Sequence, residues 1–193
     1  MANCLITKDQ KRLAEWHREI FGWSEDILPW EEEISKTLPF TARWVTVGAY
    51  RGRSMLFLAD CLQRQGKTAA RVIGIDAAVF EVDSPLEWTR ARNTVHKEWG
   101  NGPRVQVELR VAWSPEAAED FPDGWADGVF IDGSHTEEGA EADIIVWRRK
   151  VRPGGILAGH DYKEGEFGVK AAVDRLLPGF ERVPDSSLWV YRC

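Results

Sequence analysis

The sequence predicts an α/β fold of the Rossmann-like, doubly wound type: a mainly parallel seven-stranded sheet with a C-terminal antiparallel hairpin and an N-terminal helical cap. Three observations carry this reading. From residue 43 onward, short apolar runs alternate with stretches of helical spacing, the βα repeat that builds a parallel sheet. The first run ends in a glycine-bearing turn and two later runs end in carboxylate and histidine, at the strand ends where such sheets place their ligand loops. The chain closes on two apolar runs around Pro184, Asp185, Ser186 and Ser187, the pattern of a β-hairpin.

The 193 residues suit a single domain, 1–193, made of a helical cap (1–40) and a Rossmann-like core (41–193). Residues 8–38 have helical spacing broken at Gly22 and Pro29, and no strand alternation. Candidate buried strands follow at Trp44 to Val47, Val72 to Ile75, Val105 to Leu109, Val129 to Ile131 and Ile156 to Ala158. Helices over about 52–65, 85–98, 114–120 and 136–150 fill the intervals, with one more over about 168–177, closed by Pro178 and Gly179. Phe180 to Val183 and Leu188 to Tyr191 form the hairpin. No internal repeat or linker interrupts the series.

Composition narrows the function classes. Hydrophobic residues at 44% and charged residues at 29% are ordinary for a globular protein and suggest neither disorder nor a membrane span. A net charge of −6, with basic residues scattered, repels a phosphate backbone, so nucleic acid is not an expected partner. The first twenty residues carry Lys8, Asp9, Lys11, Arg12, Glu15 and Glu19, which fits no signal peptide or membrane helix, and a cytoplasmic location is the default expectation. Cys4, Cys61 and Cys193 are odd in number and far apart, which argues against a disulfide framework or a thiolate zinc site. Trp16, Trp23, Trp30, Trp99 and Trp147 are expected to cover core edges and helix seams.

The first candidate site is the turn Gly48-Ala49-Tyr50-Arg51-Gly52-Arg53-Ser54, between the first strand and the apolar helix from Met55 to Leu62. Glycines there permit backbone angles that a Cβ forbids, and the helix start offers unpaired N–H groups to a polar ligand. A dinucleotide fingerprint needs glycine where Tyr50 stands, so NAD and FAD are disfavoured, and no Gly-Lys-Ser/Thr follows to make a phosphate loop. Asp76 ends the second strand, where an acidic residue in this fold accepts hydrogen bonds from ribose hydroxyls. A tight turn and a helix cap remain the structural alternatives for these residues.

The second candidate site has two arms. Asp127 to His135 ends a buried strand in Asp132 and places His135 three residues on; Gly154 to Tyr162 ends the next strand in His160 and Asp161. Strands side by side sit about 4.8 Å apart, so Asp132 and Asp161 could share one ion. Two carboxylates that close repel unless a cation or proton lies between them. Oxygen ligands suit Mg²⁺ or Mn²⁺, which lowers the pKa of a bound hydroxyl, and His135 could take its proton. The alternative is that Asp132 and Asp161 cap the helices that follow. His17 and His96, on expected helices, are read as structural.

Taken together, GAYRGRS (Gly48 to Ser54), Gly74-Ile75-Asp76, VFIDGSH (Val129 to His135) and RPGGILAGHDY (Arg152 to Tyr162) resemble small class I S-adenosylmethionine-dependent methyltransferases. The resemblance is nearest to the macrocin-type O-methyltransferase and cephalosporin hydroxylase-like branch, and order and spacing match over residues 43–192. It implies that Gly48, Tyr50, Gly52 and Ser54 cradle the methionine part of S-adenosylmethionine, Asp76 the ribose, and Trp113 with Ser114 the adenine. It further implies that Asp132 touches the cofactor and, with Asp161, holds Mg²⁺ or Mn²⁺, that His135 is the base, and that His160 is an extra ligand or stands behind the ligands.

The sequence departs from the family pattern at Thr46, where relatives carry Glu or Asp: its hydroxyl can still accept a hydrogen bond as a cofactor-binding residue, but the cofactor ammonium loses a nearby charge. A further metal carboxylate would come from Glu81 or Asp83. The expected reaction is methylation of a hydroxyl on a small sugar or polyol-like acceptor, with a homo-oligomer compatible with the sequence. A metal-dependent hydrolase or hydroxylase built on the same cluster, and a non-catalytic S-adenosylmethionine-binding domain, are the competing readings.

Overall fold

In the computed structural model, residues 25–77, 84–165 and 168–193 are described. Cys4, Trp16, His17, Trp23, Glu81 and Asp83, all named above, lie outside them. Helix α1 (Ile27–Thr37) precedes β1 (Arg43–Val47), α2 (Arg53–Arg64), β2 (Arg71–Asp76), α3 (Ser84–Trp99) and β3 (Gln106–Val111). Then come α4 (Ser114–Ala117), a 3₁₀ turn (Ala118–Asp120), β4 (Ala126–Ile131), α5 (Glu137–Lys150) and β5 (Val151–Gly159). Helix α6 (Val169–Leu176), β6 (Glu181–Arg182) and β7 (Trp189–Arg192) complete the chain.

The seven strands form one sheet in the order β3-β2-β1-β4-β5-β7-β6. Strands β1 to β5 run parallel, and β7 runs antiparallel to both β5 and β6. The chain moves outward from β1 through β2 to β3 and then returns to lay β4 on the other side of β1. That reversal leaves a crevice at the carboxyl ends of β1 and β4, the place where open α/β sheets bind ligands.

Alternation along the central strands sends each side chain into one of two cores. Trp44, Val72, Phe130, Ile156 and Ala158 face α1, α2 and α3, whereas Val45, Val47, Ile73, Val129 and Leu157 face α4, α5 and α6. The cap helix α1 shuts the first core: Trp30 lies 6.1 Å from the Trp44 ring and 5.6 Å from Phe130. Its inward stripe is Ile27, Glu31 and Ser35, four residues apart and all buried. The central member of that apolar-looking stripe is therefore a carboxylic acid.

Two elements differ from the sequence reading. Strand β5 begins at Val151 rather than Ile156 and runs through Pro153, Gly154 and Gly155. The reason is distant in sequence: Cys193 accepts from the Gly154 N–H at 2.6 Å and donates its own to the Gly155 carbonyl at 3.0 Å. The segment expected as one helix over 114–120 divides into a single α turn and a 3₁₀ turn, with Pro115 at its start. Among the described residues, no helix is long and apolar enough to cross a membrane.

Close packing makes one glycine a sensitive probe of the β1–β4 seam. A Cβ on Gly128 would fall 2.2 Å from Trp44 Cζ3, and that indole is wholly buried. Gly128→Ala should destabilise the fold by about 2 kcal/mol through overpacking, measured as a lower urea midpoint at unchanged m-value.

Candidate active site

The turn after β1 is shaped by the protein's own backbone. Gly48, at φ +77°, must be glycine also because a Cβ there would lie 2.0 Å from the Asp132 carbonyl oxygen, at the tip of β4. Gly52, at φ +84°, faces the Trp88 indole, 2.6 Å from where its Cβ would be. Both glycines thus serve chain-to-chain contact, a more demanding reason than the ligand approach expected from sequence. Between them Tyr50 takes a left-handed φ of +48°, and its N–H donates to Asp76 Oδ2 at 2.6 Å. Asp76 is brought to the turn as expected, with one carboxylate oxygen bracing it.

The two arms of the second site meet. Ile131 and Gly159 are register partners on adjacent strands, so the chain leaves both at one edge, and the His160 N–H donates to the Ile131 carbonyl at 3.1 Å. Asp161 then adopts a left-handed φ of +59°, which turns its carboxylate back toward β4. His135 Nε2 pairs with Asp161 Oδ2 at 2.9 Å. His160 Nδ1 lies 3.6 Å from Asp132 Oδ1 and 3.4 Å from Asp161 Oδ1. The carboxylates are not helix caps: Thr136 caps α5, accepting from the Gly139 N–H at 3.1 Å, and Gly168 precedes α6.

Asp132, His135 and Asp161 each offer one ligand atom within 4.8 Å of the others, a donor set of two hard oxygens and one imidazole nitrogen. That chemistry fits Mg²⁺ or Mn²⁺. His160 stands behind the two carboxylates. Burial works against its charge, but pairing with Asp132 and Asp161 wins and pushes it up to about 10. Its other nitrogen, Nε2, meets both Asp26 oxygens at 3.1 Å and Ser187 Oγ at 2.8 Å.

The charges of the cluster follow from this arrangement. Burial raises Asp132 above the usual carboxylate range, His160 opposes that rise, and the neighbouring Asp161 adds to it. Asp161 goes the other way despite burial, because His135, His160 and Lys163 hold it far below the usual range. Its hydrogen bond to Asp161 raises His135 above the ordinary imidazole value, burial notwithstanding.

The residues expected at the adenine end behave differently from each other. Trp113 is 62% exposed beside the carboxyl end of β3 and presents an open ring face. The Ser114 hydroxyl is engaged inside the protein, donating to Asp143 Oδ1 and accepting from Trp147 Nε1 at 2.8 Å. Asp143 also accepts from the Ser134 backbone N–H, so this buried acid ties α5 to the turn that carries His135. Burial pushes Asp143 up to about 6.

Thr46 is buried with its Oγ1 unpartnered among the described residues, and it lies on the α1-facing side of β1. Sequence reasoning missed Asp26 and Glu31 of the cap. Glu31 Oε1 accepts from Ser54 Oγ at 2.6 Å, and burial raises this acid well above the carboxylate range, an effect the Ser54 bond reduces and Asp132 reinforces. The one signal in the sequence was a glutamate set at helical spacing among Ile27, Trp30 and Ile34. Beside the cluster, a cleft of about 590 Å³ is lined by Asp26, Tyr162, Lys163, Glu164, Arg182 and Asp185, among others.

A parallel sheet with a glycine turn at its switch point and an acid closing β2 defines a binder of a nucleoside-type cofactor. A family described as "Methyltransferase domain" matches residues 45–162, well over half of the chain, and the protein belongs to it and is an S-adenosylmethionine-dependent methyltransferase. A search of curated proteins finds no match. Among solved structures, the chain resembles CalS11, a TDP-rhamnose 3'-O-methyltransferase of calicheamicin biosynthesis, at TM-score 0.62 and 14% identity, covering 97% of this chain and 81% of that one. It also resembles the O-methyltransferase NovP, at TM-score 0.60 and 17% identity, covering 95% of this chain and 79% of that one. An RNA methyltransferase from Salinibacter ruber, in complex with S-adenosyl-L-homocysteine, aligns at TM-score 0.57 and 17% identity over 89% of this chain and 93% of that one. At such identities the likeness is one of fold.

The Asp143 network yields a pH prediction. Its folded value, about 6, stands above the ordinary 3.8, so protonation favours the fold. The contribution is complete below about pH 4 and is lost as pH rises through about 6. Asp143→Asn removes the titration, so its stability relative to the wild type should rise by up to about 3 kcal/mol between pH 4 and pH 8 in paired urea titrations.

Proposed function

We propose that the protein transfers a methyl group from S-adenosylmethionine to a hydroxyl of a small sugar- or polyol-like acceptor, assisted by Mg²⁺ or Mn²⁺. The observation that carries this reading is the convergence of Asp132, His135 and Asp161 within 4.8 Å, at the strand ends beside the Gly48 turn. The relatives in fold named as O-methyltransferases, one of them acting on a nucleotide-linked sugar, support the choice of oxygen as acceptor atom. A net charge of −6 favours a small molecule over nucleic acid, and the polar cleft beside Asp161 has room for one.

When bound, the cofactor supplies an electrophilic methyl on a sulfonium and the divalent ion supplies a Lewis acid. The chain does the rest. Gly48 to Ser54 seat the amino-acid end, Asp76 receives the ribose, and the exposed face of Trp113 stacks on the adenine. Asp132 and Asp161 hold the ion and orient the acceptor hydroxyl. His135 takes the hydroxyl proton at Nδ1, while Asp161 stabilises the resulting imidazolium across the 2.9 Å pair at Nε2. His160, fixed by Asp26 and Ser187, keeps its positive charge behind both carboxylates and so sets their position.

Calorimetry should show binding of S-adenosylmethionine; no heat at millimolar cofactor would sink the reading. Transfer of labelled methyl to a panel of sugars and nucleotide-linked sugars should identify the acceptor, with turnover lost in EDTA and regained with Mg²⁺. On that acceptor His135→Ala should lower kcat by about 10²-fold or more, at unchanged cofactor affinity.

A further inference from the structure

Glu31 is an anomaly that the fold does not account for. It sits at the centre of the inward stripe of α1, fully buried, between Ile27 and Ser35. Ser35 is satisfied there: its hydroxyl donates to the Glu32 carbonyl at 2.7 Å and accepts from Gln65 Nε2 at 2.6 Å. Glu31 is only half satisfied. Oε1 takes the Ser54 hydroxyl, but Oε2 has no partner among the described residues and no access to solvent. A buried carboxyl oxygen left alone costs about 1–3 kcal/mol or more, so a purely structural glutamate at this place should have been replaced by an apolar residue.

Its surroundings point to what completes it. Ser54 belongs to the first turn of α2, immediately after the Gly48–Gly52 turn, and Asp132 is close enough to act on Glu31 electrostatically. The Glu31 carboxyl therefore touches the helix start, within electrostatic reach of Asp132. On the same side of the sheet is the other acceptor oxygen in this region that is buried and unpartnered among the described residues, Thr46 Oγ1. An amino-acid tail seated on this turn carries a carboxylate, which the N–H groups at the start of α2 attract, and an ammonium, which requires acceptors. Two orphaned acceptor oxygens, one of them on a carboxyl group, match an ammonium with three donors.

Resting on the methyltransferase reading above, we propose that Glu31 of the cap binds the α-ammonium of S-adenosylmethionine, with Thr46 as its hydroxyl partner. The charge comes from a helix outside the strand-turn-helix motif, and the Ser54 hydroxyl orients it. Glu31 is thereby a cofactor-binding residue contributed by the cap.

The test is a two-by-two calorimetric comparison of wild type and Glu31→Gln, with S-adenosylhomocysteine and its deamino analogue, which lacks only the ammonium. In the wild type, removing the amine should weaken binding about tenfold or more; in Glu31→Gln the two ligands should bind within about twofold of each other. 5'-Methylthioadenosine, which has no amino-acid end, should bind both proteins alike. An amine effect equally large in wild type and variant overturns the proposal, as does a parallel loss of all three ligands in a variant with wild-type melting. If Glu31→Gln melts lower, Glu31→Asp must show the same selectivity for the amine, smaller in size, and its absence is equally fatal. Wild-type protein that binds none of the three defeats the cofactor reading itself, a result distinct from tight binding that ignores Glu31.

Discussion

The site depends on one electrostatic arrangement: an imidazolium standing behind two carboxylates. Asp132 and Asp161 come from adjacent strands and would repel each other in a partly buried place. His160 removes that conflict with one nitrogen and anchors itself to Asp26 and Ser187 with the other. The carboxylates can then stand together beside His135 without first needing a metal ion to hold them. Lys163 contributes at the solvent edge, 3.1 Å from Asp161 Oδ1.

That arrangement in turn rests on the β1–β4 junction. Gly48 has no side chain because the Asp132 carbonyl occupies the space, so the cofactor turn and the carboxylate cluster are packed against one another as a single unit. The buried Asp143 braces the same turn from α5 through Ser134, and Ser114 and Trp147 complete the brace. The turn and the cluster are in this way fixed together by one backbone contact and a buried side-chain brace.

Much of this was legible in the sequence where the determinants are local. The strand-turn-helix pattern around Gly48, the acid after β2, and the twin strand ends at Asp132 and Asp161 all follow from periodicity and strand-end position, and the structure places them so. What could not be read depends on partners far along the chain. The anchoring of His160 by Asp26, 134 residues away, is one such contact. The bonds of the Ser114 hydroxyl with Asp143 and Trp147 are another. The early start of β5 follows from pairing with Cys193. Glu31 looks like an exposed helix residue because nothing near it in sequence shows which face of α1 is covered.

The cap helix and the residue just before it reach both halves of the site: Asp26 clamps His160, and Glu31 meets Ser54. Caps of this kind are often treated as interchangeable modules, to be swapped between scaffolds when a new acceptor is wanted. In this protein a chimera of that sort would exchange more than the shape of a pocket. It would remove the counter-charge of one imidazolium and the partner of the first helical turn, and the recipient core would have to be re-engineered at His160 and Thr46 before any change in selectivity could be interpreted.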